Sequence, residues 1–374
     1  MHQLAKCEFD TFRLHAINDY VLQPLGFHLS DGTVYTYLRG DEYEDIAAAW
    51  DWHLIPGITT DYAATPLNCR RTGWKGIEQF VGGVSDTKIG VAAMRYSNPF
   101  THTLSWQKAW FFLKNDVQFV MVNNLSSNSL TPLYSVLDQR RHTGDIFVNG
   151  TPVEKSTNFT NAKSLWHGGV GYTFDKSPGV SGLSVKVGKK TGDWSLIGIS
   201  TRPPKTVDLF AAYLTHSALR KPISYAIFPG TETLDAFDQK RNETKLRTVR
   251  NDVHISALFD DAHQIAMVVF WDSRGGSVVI PGSSVSNANL TMSSNGNSAV
   301  IYQLNTGKVT VSDPSQTWAK LDVKLKVGSS GNKPPHWGKV SSHNLSFHLP
   351  ISGSAGSSVS QNISKIKVPS LITV

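Results

Sequence analysis

Residues 39–57 read Arg39-Gly40-Asp41-Glu42-Tyr43-Glu44-Asp45-Ile46-Ala47-Ala48-Ala49-Trp50-Asp51-Trp52-His53-Leu54-Ile55-Pro56-Gly57, with five acids, two tryptophans and one histidine in nineteen positions. Acids at this density can bind a metal or move protons, tryptophan faces can stack on sugars, and Arg-Gly-Asp can be an adhesion tripeptide. Residue order narrows the choice. Glu42, Glu44, Asp45 and Asp51 lack the Asp-x-Asp-x-Asp-Gly order of a calcium loop. Arg39-Gly40-Asp41 is a three-residue match that means something only on an exposed loop tip. Trp50 and Trp52, two apart, face the same way in an extended chain, either as a sugar platform or as half of a core. Periodicity does not choose between them.

Outward from this stretch the apolar pattern is mostly that of strands: residues 33–38, 184–187, 309–311 and 321–327 alternate. Helical patterns are confined to residues 43–49 and 232–242, with Thr231 placed to cap the second. Gly82-Gly83, Gly168-Gly169, Pro203-Pro204 and Gly275-Gly276 punctuate the remainder. The chain therefore reads as all-β with many short strands and no fixed repeat. Composition shifts at residues 272–280, so a large sandwich over 24–274 and a small one over 275–374 are expected, after a divergent segment 1–23.

With 374 residues, 40% apolar and 17% charged, the chain is long enough and apolar enough to bury real cores. No apolar run reaches spanning length, and Met1-His2-Gln3-Leu4-Ala5-Lys6-Cys7-Glu8-Phe9-Asp10 carries charge where an export signal needs an apolar stretch. Cys7 and Cys69 leave one disulfide open and form no zinc spacing. Asn-x-Ser/Thr sequons at Asn124, Asn149, Asn158, Asn242, Asn289, Asn344 and Asn362 outnumber the roughly four that chance would supply, which leans towards secretion. Of the net charge of +7, most lies beyond Gly275, where eight lysines meet two acids. A basic surface of this kind draws polyanions, whether nucleic acid, acidic polysaccharide or lipid headgroups, or simply keeps the protein soluble.

Thirteen histidines bring no HExxH, no GxSxG elbow and no P-loop with them. Trp166-His167-Gly168-Gly169-Val170-Gly171-Tyr172 lacks the lysine and following helix of a phosphate loop, so a tight turn between strands is the favoured reading. Asp138-Gln139-Arg140-Arg141-His142 could offer two guanidinium forks to a carboxylate or sulfate, but an exposed strand end with solvated charges is favoured. Trp106, Trp110, Phe111 and Phe112 sit in a strand-like run and read as core.

Taken in order, Gly26-Phe27-His28-Leu29-Ser30-Asp31-Gly32-Thr33-Val34-Tyr35-Thr36-Tyr37, Gly40 to Ile46, Trp50-Asp51-Trp52 and Ile55-Pro56-Gly57-Ile58-Thr59-Thr60 resemble the β portion of the polysaccharide lyases that include hyaluronate, chondroitin AC and xanthan lyases. Phe80-Val81-Gly82-Gly83-Val84-Ser85, Asp138-Gln139-Arg140-Arg141, the Trp166 to Tyr172 run and Thr191-Gly192-Asp193-Trp194 continue the pattern. Val311-Ser312-Asp313-Pro314-Ser315 and Ala355-Gly356-Ser357-Ser358-Val359 look like the family's small C-terminal domain, and secreted fungal members are nearest in pattern.

The resemblance implies a large antiparallel sandwich (a supersandwich) followed by a small one. It also implies β-elimination at a uronic acid of an acidic polysaccharide such as hyaluronan, chondroitin or xanthan, in a secreted monomer without metal or cofactor and without nucleic-acid or membrane partners. In the family an Asn neutralises the uronate carboxylate while His and Tyr move protons, all from a helical toroid that these residues do not resemble. No catalytic residue is therefore expected here, and the chain alone is expected to be inactive; a non-cleaving module that holds acidic polysaccharide is the alternative. The one family contribution from the β side, a Glu and an Asn shortly before Gly26, falls on Ile17 and Tyr20, so the first segment reads as truncated. A slipped register would give substrate contacts to Asn18, Asp19, Tyr20 and Gln23. The same resemblance makes residues 39–57 structural, with Trp50 and Trp52 mostly buried and Asp51 hydrogen-bonded between strands.

Overall fold

The computed structural model describes residues 25–68, 75–174, 179–198, 200–219, 221–329 and 331–363. It is built of antiparallel strands in sheets of five, nine, six and four, with one α-helix at Leu234–Glu243 among the described residues. Contacts divide these residues into two compact units. The first takes residues up to 78, 96–106 and 125–238, and the second takes 79–95, 107–124 and those from 239 on.

In the first unit the five-stranded sheet runs Thr59–Asp61, Leu133–Arg141, Lys205–His216, Val180–Gly192 and Thr157–Phe159. Its two longest members pair from Val180↔His216 to Gly192↔Lys205, which fixes the faces of residues 184–192. Residues 52–58 lie over one face, where Trp52, Leu54, Ile55 and Ile58 pack with Val136 and Tyr213. In the second unit the six-stranded sheet (Leu246–Asn251, Ile255–Asp260, Ile265–Phe270, Ser298–Gln303, Lys308–Ser312, Val359–Asn362) packs on the four-stranded one (Gly276–Ile280, Leu290–Ser294, Lys320–Val327, Ser342–His348). Between them lie Phe259, Phe270, Met292, Tyr302, Trp337 and Phe347. Lys320–Val327 shows why period two is decisive: its lysines are exposed while Leu321, Val323, Leu325 and Val327 are buried. Residues 184–187 and 309–311 are strand as the alternation predicts.

Residues 33–38 are the exception, because they form no strand. Their backbone donors find partners in the same segment rather than in a neighbouring strand: Val34 N donates to Pro56 O at 2.9 Å, Thr36 N to the Tyr43 hydroxyl at 3.2 Å, and Leu38 N to Glu42 Oε1 at 2.8 Å. The helix expected at 43–49 shrinks to one 3₁₀ turn, Ala47–Ala49, since Asp45 is held at φ 52°. The second predicted helix forms, but its cap moves. Thr233 Oγ1 accepts from Ala236 N at 3.1 Å, whereas the Thr231 hydroxyl donates to Phe228 O and Gly169 O, both at 3.2 Å.

Gly168 and Gly169 form the expected tight turn, joining Ser164–His167 to Val170–Phe174 with φ of 55° and 80°. Two consecutive positive angles are the signature of the two-residue hairpin loop that glycine supplies without strain. Trp106, Trp110 and Phe111 are core residues, while Phe112 at 39% exposure is not.

Candidate functional site

The acids of residues 39–57 are engaged by their own backbone and by neighbouring side chains. Glu42, buried, accepts the amides of Leu38 at 2.8 Å, Arg39 at 2.7 Å and Gly40 at 2.9 Å, closing the turn that Gly40 enters at φ 100°. Asp45 pairs with Lys205 at 2.9 Å on the surface. Asp51 accepts the Tyr62 hydroxyl at 2.8 Å and the His53 amide at 3.1 Å. It is thus hydrogen-bonded, though in a loop and not between strands. Trp52 is buried and Trp50 half-buried. Among the described residues no cluster of three or more His, Cys, Asp or Glu is placed to hold a metal.

Glu42 has a measurable consequence. Burial pushes its carboxyl up, and the amides of Arg39, Leu38 and Gly40 more than reverse this, bringing it from 4.5 to about 2. A folded-state value below the unfolded one adds stability that is complete above pH 4.5 and is lost as pH falls towards 2. Glu42→Gln is expected to cost about 1–2 kcal/mol at neutral pH, after allowance for solvent near the turn. In urea titrations the gap between the two proteins should close as pH is lowered through that window; a gap unchanged at pH 3 would refute the clamp.

Asp138 and Arg140, two apart on the strand Leu133–Arg141, project to one face and are buried there, at 2% and 1% exposure. This overturns the reading of residues 138–142 as an exposed strand end. Arg140 Nε lies 2.5 Å from Asp138 Oδ2, and Nη2 donates to Thr36 O at 3.1 Å and the Tyr43 hydroxyl at 3.2 Å. The hydroxyls of Tyr43 and Tyr172 donate to Asp138 at 2.9 and 3.4 Å. Burial raises the Asp138 carboxyl, with the Arg140 charge pulling against that rise. Burial also opposes the guanidinium charge, and Asp138 overcomes it, so Arg140 is held firmly protonated. The alternate residue, Gln139, points to the other face, where its Nε2 donates to Asp51 O and Leu54 O at 2.9 Å. One strand thus anchors residues 36–54 from both its faces.

Beside that anchor opens a cleft of about 350 Å³ on the five-stranded sheet. Tyr62, Tyr134 and Tyr213 line one part of it in a ladder, with ring centroids 5.5 and 4.3 Å apart. Lys186, Lys189 and Lys190 line another. The register places Lys186 opposite Ala211 and Gly188 opposite Leu209, so two of the residues flooring the space, Gly188 and Ala211, are small. A Cβ on Gly188 would meet nothing within 4 Å. None of the three ammonium groups has an ion-pair or hydrogen-bond partner among the described residues. The lining acid is Asp51, already bonded to Tyr62. Free cations beside aromatic faces can hold an anionic ligand with an apolar side.

The residues given substrate contacts from the sequence, Asn18, Asp19, Tyr20 and Gln23, lie outside the described residues, as do Ile17, Cys7 and Cys69. Sequence reading missed the cleft, because Tyr62, Tyr134 and Tyr213 share no spacing and meet only through strand pairing. The legible signal was Lys186-Val187-Gly188-Lys189-Lys190, a strand whose cationic end carries a glycine.

Residues 16–241 match the model of the polysaccharide lyase family 8 super-sandwich domain, and residues 247–322 that family's C-terminal β-sandwich domain. Chondroitinase-AC of Pedobacter heparinus is 29% identical over 255 residues, covering 66% of this chain and 35% of that protein. Among solved structures, a chondroitinase AC lyase known from oligosaccharide complexes superposes with a TM-score of 0.78 at 22% identity, covering 91% of this chain and 48% of that one. A Paenibacillus xanthan lyase gives 0.74 at 18% identity, over 90% of this chain and 33% of that one. The Streptomyces coelicolor A3 chondroitin AC lyase, solved with chondroitin sulphate, gives 0.68 at 19% identity, over 90% and 44%. The chain thus spans between a third and a half of the length of these relatives. With an all-β sandwich fold and two consecutive domain matches along the sequence, the chain belongs to polysaccharide lyase family 8.

Proposed function

We propose that these 374 residues are the β-sandwich part of a secreted, monomeric lyase that cleaves a uronic-acid-containing polysaccharide by β-elimination, and that on their own they hold the polymer without cleaving it. The observation that carries this is the succession of super-sandwich and C-terminal domain matches over 16–241 and 247–322. The substrates named for the chondroitinase and xanthan lyase relatives support an acidic polymer.

The chemistry explains why the β part alone falls short. Removing the C5 proton of a uronate requires its carboxylate to be neutralised and a base placed within hydrogen-bond reach. The family resemblance assigns those tasks to Asn, His and Tyr of a helical region. The lysines of the sheet cleft suit retention of polyanion, because carboxylate and sulfate oxygens accept charge-assisted hydrogen bonds from them.

Two measurements test the proposal. Purified chain mixed with hyaluronan, chondroitin or xanthan should produce no ultraviolet absorbance from unsaturated uronate, and a steady rise would refute the inactive β part. In gels cast with the same polymers the chain should be retarded, less so as salt is raised. Unretarded migration in all three gels would remove the acidic polysaccharide from the proposal.

A further inference from the structure

We infer that the cleft between Tyr62, Tyr134 and Tyr213 and Lys186, Lys189 and Lys190 is a binding site for a short stretch of acidic saccharide. The choice of polymer rests on the function proposed above; the site rests on its own geometry.

Three features point to this ligand. First, the half-buried rings of Tyr62 and Tyr134 offer apolar surface whose position is fixed, because Tyr62 is tied to Asp51 at 2.8 Å and Tyr134 packs on the buried Tyr213 at 4.3 Å between centroids. A pyranose ring presents an apolar C–H face to such a surface and loses little by stacking there. Second, Lys186 and Lys190, which alternate onto the same face of the strand as Ala211 and Leu209, have no partner among the described residues, although acids elsewhere on this unit, such as Asp45 and Asp208, are paired with Lys205 and His142. Lys189, between them, alternates to the other face and lies at the edge of the cleft across the strands from Asp208, whose carboxylate is taken by His142 at 3.1 Å. The lysines are thus available to carboxylate or sulfate oxygens, which accept charge-assisted hydrogen bonds. Third, Gly188 and Ala211 leave the floor open; side chains of ordinary size there would fill the space.

Single-stranded nucleic acid also stacks on aromatics and pairs with lysine, but such sites track the backbone through an extended groove. A cleft of about 350 Å³ sits at the small end of ligand pockets and holds a compact unit.

The test uses the whole chain and a chondroitin hexasaccharide, titrated by calorimetry. Saturable binding is expected, with no binding of maltohexaose. Lys186→Glu/Lys190→Glu should weaken it by at least about tenfold, and Tyr134→Leu by about three- to tenfold. Lys190 is exposed and Lys186 half-buried, so the charge-reversed protein should melt close to the parent. Should Lys186→Glu/Lys190→Glu prove misfolded, Lys189→Glu/Lys190→Glu, both at exposed positions, replaces it. If charge-reversed, folded protein binds the hexasaccharide as the parent does, the cleft assignment is wrong while the acidic-polysaccharide function stands. Failure of the parent to bind any acidic saccharide overturns both. Equal or tighter binding of oligothymidylate, lost in the same variants, overturns the saccharide assignment alone.

Discussion

Asp138→Ala is expected to destabilise the first unit by about 3–5 kcal/mol, among the largest losses any single substitution here would cause. The reason is the charge left behind. Arg140 is 1% exposed, and without Asp138 its remaining contacts are the Thr36 carbonyl and the Tyr43 hydroxyl; Nη1 already carries no hydrogen bond among the described residues. A buried guanidinium cannot shed its proton, so it must pull in water or distort the strand. Replacing both partners, Asp138→Leu with Arg140→Met, removes the stranded charge together with its partner. The double variant should therefore lose much less, about 1–2 kcal/mol, mostly from the Thr36 carbonyl and the two tyrosine hydroxyls left unbonded. Urea titrations of the parent, Asp138→Leu, Arg140→Met and the double give the coupling directly. Equal losses for Asp138→Ala and the double variant would mean that the pair is worth no more than its packing.

That cluster also shows where the sequence could be read and where it could not. Asp138-Gln139-Arg140 has the alternation of a strand, and it is one. Which face the water takes is set by what lies over it, and here Thr36 and Tyr43, from a segment that forms mostly turns, and Tyr172 of another strand meet the two charges. Propensity therefore had no purchase on the burial of two formal charges, and a solvated strand end was the ordinary expectation. Residues 33–38 failed for a related reason. Their alternation is real, yet their amides are claimed by the Pro56 carbonyl, Tyr43 and Glu42 before any strand can pair with them. Side-chain acceptors within the same segment won over sheet propensity.

Fold class, the Gly168-Gly169 hairpin and the alternating Lys320–Val327 strand were legible because each depends on local pattern alone. The cleft was not. Tyr62 and Tyr134 stand 72 positions apart in the chain and meet only because Thr60 pairs with Tyr134 in register, carrying Tyr62 alongside. No window of sequence contains that fact. Of the acids in residues 39–57, Glu42 and Asp51 turn out to fix backbone, which their position beside turns would have allowed.

Gly192→Ala carries the second large effect, about 3 kcal/mol, from a single added methyl. A Cβ at this position would lie 1.9 Å from the Ala48 carbonyl oxygen and 2.4 Å from the Ala49 nitrogen. Both are backbone atoms of the Ala47–Ala49 turn, so no side chain can rotate away and the turn itself must lift from the strand. The same turn receives the Trp52 indole N–H at the Ala47 carbonyl, 3.0 Å away, and the segment continues into Asp51, Leu54 and Tyr62 of the cleft. Lifting it should therefore weaken hexasaccharide binding as well as stability. Gly76→Ala serves as the control: its Cβ would meet nothing within 4 Å, so its effect should stay within about 0.5 kcal/mol. Thermal melts of the two variants separate a steric cause from a general intolerance of glycine replacement, and equal melting points would refute the clash. The size of the effect follows from chain geometry, since a glycine in the last position of a thirteen-residue strand contributes nothing to pairing that alanine could not. What requires it is the approach of Ala48, which lets residues 39–57 lie flat enough on the sheet for Trp52 to be buried and for the tyrosines to meet.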